Sequence, residues 1–223
     1  MYPHRIRLRG PWEMLALDMV AGGQVVSVKL PARWRDLGLA GFRGRVRFMR
    51  RFGYPGNADR DLEHFWLTCD GCTVGREVHL NGALLSTEPW ERFAFDVTRL
   101  LSPRNRLEIT VEAATDDAGL WGEVALEIRK DAYLEGTCVQ SEGGALAVRG
   151  HVVGTAPQPL ELYTTLDRRH IDYRTIEPLP EGTPFVIPLP ATAPPAVSIR
   201  VELVHVSTIW YAVDLPIPHW KAD

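Results

Sequence analysis

Apolar and polar residues alternate with a period of two in many short segments of the chain, which is the pattern of half-buried β-strands. The clearest case surrounds Asn81-Gly82. Residues 77–80 alternate before this dipeptide, and Leu84 and Leu85 begin a return segment after it. Because Asn-Gly tolerates the positive φ of a tight turn, we predict a β-hairpin here, with a further strand behind it that contains Phe93 and Phe95.

Other segments before residue 130 show the same pattern. They lie around Ile6 and Leu8, at 24–30, at 66–70 and at 105–112, whereas the composition of residues 53–64 predicts a loop. Arg43, Arg45 and Arg47 also alternate, and we interpret them either as a partner interface or as solvent-exposed edge residues.

The composition changes near residue 131. Residues 1–130 contain 19 Lys and Arg against 17 Asp and Glu, whereas residues 131–223 contain 6 against 11. Turns rich in Gly and Pro then separate short alternating segments, and six or seven strands in this length predict a second β-sandwich. The predicted strands are 133–140, 145–153, 160–167, 185–188, 197–205 and 209–216.

Three sets of residues in the first part form a motif series. They are Leu80-Asn81-Gly82, then Phe93 with Asp96-Val97-Thr98, then Asn105, Leu107, Ile109 and Val111. This series resembles the sugar-binding domain of glycoside hydrolase family 2, the group of β-galactosidases, β-glucuronidases and β-mannosidases. That family has a Val-Asn-Gly turn, a Phe-x-x-Asp-Val-Thr segment and an Asn-x-Leu-x-Val strand. The aromatic pattern of Trp34, Phe42, Phe48 and Phe52, with Gly44 and Arg50, is similar as well.

The closing signature of that domain is matched by Gly119, Leu120, Trp121, Glu123 and Val124. Two departures stand out: Gly122 replaces the usual Arg, and Arg47 replaces the usual Trp. The resemblance implies an all-β fold, in which a galactose-binding-like jelly roll (residues 1–130) precedes an immunoglobulin-like sandwich (residues 131–223).

In family 2 the two catalytic carboxylates belong to a (β/α)8 barrel, which typically needs about 250 residues. No strand–helix alternation remains in this chain for such a barrel. We therefore expect no hydrolysis by the family mechanism, and no other catalytic motif is apparent. No cofactor is expected, and no motif indicates calcium.

The resemblance implies a carbohydrate site near the loops of the first domain. Sugar sites combine an aromatic platform with carboxylates, amides and Arg. The candidate sugar-binding residues are Trp90, Arg92, Asn81, Asp116, Asp117 and Trp121. Packing is an equal alternative for each tryptophan, and a solvated acidic loop is the alternative for the two aspartates.

Two further groups have chemical interpretations. Cys69 and Cys72 form a Cys-x-x-Cys, either a redox pair or zinc half-site, or two buried apolar side chains at the end of a strand. On a strand, His170, Asp172 and Arg174 would share one face. We interpret that row either as a metal or acid–base site or as the solvent side of a sheet.

Composition limits the remaining function classes. The net charge of −3 disfavours nucleic acid, and no apolar run approaches the roughly 20 residues that span a bilayer. The chain shows no signal-peptide pattern and has three cysteines, so we expect a cytoplasmic location. Two functions stay open: a carbohydrate-binding accessory protein without catalysis, or a scaffold that contacts a glycosidase catalytic subunit or a second copy of itself.

Overall fold

The computed structural model describes residues 5–19, 23–54, 63–113, 115, 118–142, 145–190 and 198–217. The chain falls into two compact units, and it passes from the first to the second between Ile128 and Arg129. Within the described residues the first unit contains 5–54 (without 20–22) and 64–128, and the second contains residue 63 and 129–217. No α-helix lies in these ranges, and the single helical turn is a 3-10 turn at Trp34–Leu37.

The first unit contains two large antiparallel sheets. Its strands are β1 (Arg5–Arg7), β2 (Trp12–Ala16), β3 (Val26–Val28), β4 (Ala32–Arg33), β5 (Gly44–Gly53), β6 (Glu63–Cys69), β7 (Val74–Leu80), β8 (Ala83–Ser86), β9 (Phe93–Asp96), β10 (Arg104–Ala113), β11 (Gly119–Leu120) and β12 (Val124–Lys130). One sheet has the order β1-β12-β6-β9 and the other β3-β2-β5-β10-β7-β8, while β4 and β11 form a small pair.

Alternating apolar residues from these strands form one core. Trp12, Trp34, Phe48 and Phe65 are among its fully buried side chains. Strand β5 shows how the sequence produces this: Val46 and Phe48 point inward, and Arg45 and Arg47 alternate with them on the other face. A period of two on a pleated strand separates the faces in this way.

The second unit is a β-sandwich, with seven strands among its described residues. They are β13 (Ala132–Glu142), β14 (Ala145–Gly154), β15 (Leu160–Leu166), β16 (Arg169–Ile176), β17 (Thr183–Pro188), β18 (Ser198–His205) and β19 (Thr208–Pro216). Their sheets have the orders β13-β14-β17 and β16-β15-β18-β19. In chain order, the first, second and fifth strands form one sheet, and the third, sixth and seventh strands belong to the other, as in immunoglobulin constant domains. The difference is that the fourth strand, β16, joins the second of these sheets.

The expected fold class is confirmed: the chain is all-β, with antiparallel sheets consistent with a jelly roll followed by an immunoglobulin-like sandwich. Strand β16, the fourth strand of the second unit in chain order, is not among the six ranges that were predicted from the sequence. The interpretation of Arg45 and Arg47 as edge residues is wrong, because β5 lies inside its sheet between β2 and β10. Arg45 pairs with Asp18, and Arg47 lies 3.8 Å from Glu108.

Candidate functional site

The Asn81-Gly82 turn is held by its own side-chain amide. Asn81 has φ 53°, as the turn requires. Its Nδ2 donates to the carbonyl of Leu100 (2.8 Å) and to Oδ1 of Asn105 (2.9 Å), and its Oδ1 accepts from the amide of Arg106 (2.8 Å). Both N–H donors of Asn81 are therefore used within the fold, which leaves one lone pair of Oδ1 for a ligand.

The other motif residues are engaged in the same way. Asn105 is 3% exposed and bonds the backbone of Ser102 in both directions, at 2.8 and 2.7 Å. Asp96 accepts hydrogen bonds from the amide and hydroxyl of Thr98, whose hydroxyl in turn accepts from the amide of Phe65. The residues that carry the family resemblance therefore satisfy backbone groups that would otherwise be unpaired.

Trp90 is packed against the start of β7, just after the connection between β6 and β7. A Cβ at Gly75 would lie 2.1 Å from its indole ring, so the ring occupies the place of a side chain. Its other contact is an edge-to-face pair with Phe93, with centroids 4.7 Å apart. The backbones of residues 75 and 90 form an isolated antiparallel bridge, and the indole Nε1 is buried with no hydrogen-bond partner. Packing is therefore the structural role of Trp90.

Trp121 lies over the same connection at Gly71, where a Cβ would be 2.3 Å from the ring. Gly122 has room for no side chain, because its Cβ would meet the backbone of Gly71 at 1.9 Å, and its amide donates to the Gly71 carbonyl. This explains why Arg is replaced at position 122. Unlike Trp90, Trp121 is 39% exposed.

One charged group contacts the ring of Trp121, and others lie on the segments next to it. The guanidinium of Arg33 lies 5.8 Å from the ring centroid, within cation–π range. Asp70 precedes the glycine under the ring, and its half-exposed carboxylate accepts a 2.6 Å bond from Arg5. Glu123, two residues after the tryptophan, lies 3.0 Å from Arg7. Burial alone would lower the pKa of Arg5, but the hydrogen bond and charge of Asp70 outweigh it, and the pKa is raised.

The remaining predicted sugar residues add little to this geometry. Arg92 is exposed and follows Trp90 by two residues. Asp116 and Asp117 lie outside the described residues. Of the six predicted residues, the structure thus places two tryptophans over glycines four positions apart in the chain. Gly71 lies in the β6–β7 connection and Gly75 in β7, at most about 14 Å apart along an extended chain. Sequence reasoning missed Asp70 and Arg33, because only their position beside Trp121 distinguishes them from other surface charges.

Both thiols of the Cys-x-x-Cys are buried, Cys69 at 2% and Cys72 at 1% exposure. Burial raises the pKa of each to about 12. The Cys72 thiol donates to the carbonyl of Trp90 at 3.6 Å. In the described part of the chain, no three His, Cys, Asp or Glu side chains are grouped as metal ligands. This environment is that of a packed thiol pair.

The row of His170, Asp172 and Arg174 does not form. A bulge in β16 pairs Thr164 with Asp172 but Thr165 with His170, so Ile171 is left over and the faces switch. Asp172 and Arg174 form a two-bonded ion pair at 2.8 Å. His170 instead lies against Tyr163, with ring centroids 5.6 Å apart. The prediction that the three side chains share one face is wrong.

Comparison with known proteins gives the fold. No protein-family model matches the chain, and no curated protein does. Solved structures do match. A β-glycosidase from Bacteroides vulgatus has a TM-score of 0.69 and 15% identity over 96% of this chain. A β-glucuronidase of Bacteroides uniformis has 0.70 and 18% over 96%, and a β-D-mannosidase from Dictyoglomus thermophilum has 0.67 and 14% over 92%.

This chain covers 33%, 32% and 35% of those three proteins, respectively. It therefore spans about a third of the length of the glycosidases that it matches. The resemblance to family 2 glycosidases is confirmed for the fold, at identities that say nothing of activity. Separately, no helix among the described residues is long and apolar enough to cross a bilayer.

Proposed function

We propose that this chain is a carbohydrate-binding accessory module with the fold of family 2 glycosidases, and that it binds sugar without hydrolysing it. The sugar stacks on the exposed surface of Trp121, and Asp70 and Arg33 at its rim bind hydroxyl groups. The proposal rests on one observation: within the described ranges, Trp121 is the one exposed Trp or Phe. A single exposed indole with charged neighbours suits a sugar, since protein interfaces expose larger apolar clusters.

Rigidity of the platform supports the proposal. Trp121 lies on a glycine, next to a short backbone ladder in which Asp70 donates to Glu123 and Gly122 donates to Gly71. A ring fixed before binding loses little conformational entropy when a ligand stacks on it. The ion pair with Arg5 likewise holds the carboxylate of Asp70, the residue before that glycine.

The test is a thermal-shift screen of the whole chain against galactose, glucose, mannose, glucuronate and their short oligomers, with and without calcium. A ligand at 100 times its dissociation constant stabilises the folded state by about 2.7 kcal/mol, which gives a shift of several degrees. We expect a selective shift that Trp121→Ala abolishes and that Leu84→Ala, an exposed apolar control in the same unit, preserves.

Three outcomes would contradict the proposal. A shift that survives Trp121→Ala would move the site elsewhere. No shift with any sugar would favour the scaffold function, with a glycosidase catalytic subunit or a second copy as partner. Turnover of nitrophenyl glycosides by the purified chain, absent from Trp121→Ala, would show that the site is catalytic.

A further inference from the structure

The second unit exposes a cluster of aromatic rings on the outer face of its four-stranded sheet. We call it the tyrosine cluster; it consists of Glu161, Tyr163, His170 and Tyr173. Tyr163 and Tyr173 are directly opposite each other on β15 and β16, with centroids 5.0 Å apart, and Tyr173 is 51% exposed. The bulge at Ile171 brings His170 onto this same face.

One carboxylate fixes both phenol rings. Tyr163 donates to Oε2 of Glu161 at 3.1 Å and Tyr173 donates to Oε1 at 3.2 Å. The hydrogen bond to Glu161 raises the pKa of Tyr163, so the phenol stays protonated and remains a donor. Tyr173 is held through its hydroxyl but is 51% exposed, so part of its ring stays open to a ligand. Each carboxylate oxygen of Glu161 also retains a lone pair for a further donor.

The surroundings of the cluster are polar. Across β18, Tyr163 is opposite Glu202 and Thr165 is opposite Arg200. Arg200 is engaged by Glu202 at 2.6 Å and by Asp214 at 3.1 Å. An apolar protein interface would place aliphatic side chains at such positions, and here the carboxylates of Glu161, Glu202 and Asp214 outnumber the guanidinium.

We propose that the tyrosine cluster is a carbohydrate-binding site for an uncharged pyranoside, which stacks on the exposed ring of Tyr173. The sugar hydroxyls donate to the carboxylate of Glu161 and bond the imidazole of His170. The excess of negative charge disfavours nucleic acid and acidic sugars. The site goes beyond the proposed function, because it lies in the other unit and does not depend on Trp121.

The test is saturation-transfer NMR of the whole chain with neutral cello-, xylo- and galacto-oligosaccharides. Tyr173→Ala should weaken binding at this site about tenfold, since it removes the stacked ring face. Tyr173→Phe keeps the ring and should bind within about threefold of the parent, which guards against a folding defect. Thr208→Ala, an exposed change on β19, should leave binding unchanged.

The outcomes separate this site from Trp121. Sugar binding that Tyr173→Ala weakens and Trp121→Ala preserves supports the tyrosine cluster. Loss with Trp121→Ala alone, or no binding of any neutral oligosaccharide, overturns it. Tetramethylammonium chloride is a second probe: if it binds at Tyr173 and the sugars do not, the rings form a site for organic cations and the carbohydrate proposal is wrong.

Discussion

Trp90 and Trp121 both lie over a glycine, but they differ in their exposure to solvent and in their other contacts. Trp90 lies over Gly75 in β7, and Trp121 lies over Gly71 in the β6–β7 connection. Trp90 is partly buried against Phe93, whereas Trp121 is 39% exposed beside Arg33. A glycine beneath an indole is therefore compatible with a ring that is packed against other side chains and with a ring that is exposed to solvent. The two differ in that Trp90 contacts a second aromatic ring, that of Phe93, whereas Trp121 has the guanidinium of Arg33 beside it.

The largest expected effect concerns the reactivity of two thiols, Cys69 at the end of β6 and Cys72 in the β6–β7 connection. Cys69 and Cys72 are buried, and a pKa of about 12 leaves roughly one thiolate in 10,000 at pH 8. We expect a thiol reagent to label them at least about a thousandfold more slowly in the folded chain than in urea. The half-buried Cys138 should react first.

Mass spectrometry of the labelled peptides would measure the three rates separately. The labelling rates of Cys69 and Cys72 should still rise at a pH above the usual pKa of a thiol, because the raised pKa shifts deprotonation of both groups to higher pH. Rapid labelling of both at pH 8, or zinc bound in equal amount, would contradict the packing interpretation.

Trp90→Ala should lower the free energy of unfolding by about 3 kcal/mol, because it leaves a cavity between Gly75 and Phe93. Urea denaturation followed by circular dichroism measures this. A loss below about 1 kcal/mol, as expected when an exposed residue is substituted, would show that the packing of Trp90 contributes little to the stability of the fold.

The two glycines give a sharper comparison. Gly75→Ala should cost about 2 kcal/mol, because Trp90 is held by Phe93 and cannot yield. Gly71→Ala should cost about half as much, since the solvent side of the Trp121 ring leaves room for a small shift away from the added methyl group. Gly53→Ala is the control, since its nearest neighbour would be 3.9 Å away. Equal costs at Gly71 and Gly75 would show that Trp121 is as fixed as Trp90.

Trp121→Ala should have the smallest effect on stability, at most about 1 kcal/mol, because the ring keeps much of its contact with water. The same urea titration measures it. A loss near that of Trp90→Ala would assign Trp121 to packing and would remove the main support for a sugar site there.

The local elements of the fold could be predicted to within a few residues. The hairpin at Asn81-Gly82 was predictable because the turn needs residues that accept positive φ, and Asn81 has φ 53°. Strand β16 escaped the prediction because Asp172 and Arg174 occupy its inward positions. An edge strand near the rim of a sandwich tolerates such a pair, so its apolar signal is weak.

The candidate site was harder to predict. The sequence indicated the tryptophans, but Asn81 proved to be engaged in the turn, and Asp70 was not considered. The tyrosine cluster was out of reach, because a bulge of one residue moves His170 to the face of Tyr173. Nothing in the local sequence indicates on which side of Ile171 the pairing shifts.

The sequence by itself determined the strand pattern, the tight turn and the family resemblance, because each depends on neighbours along the chain. It also determined the local hydrogen bonds of the motif residues, since Asn105 and Asp96 bond backbone groups two or three residues away. Only the tertiary structure decided which tryptophan is covered and which rings share a face. Exposure depends on contacts with residues distant in sequence, such as Gly75 under Trp90 and Gly71 under Trp121, and period-two alternation does not include them.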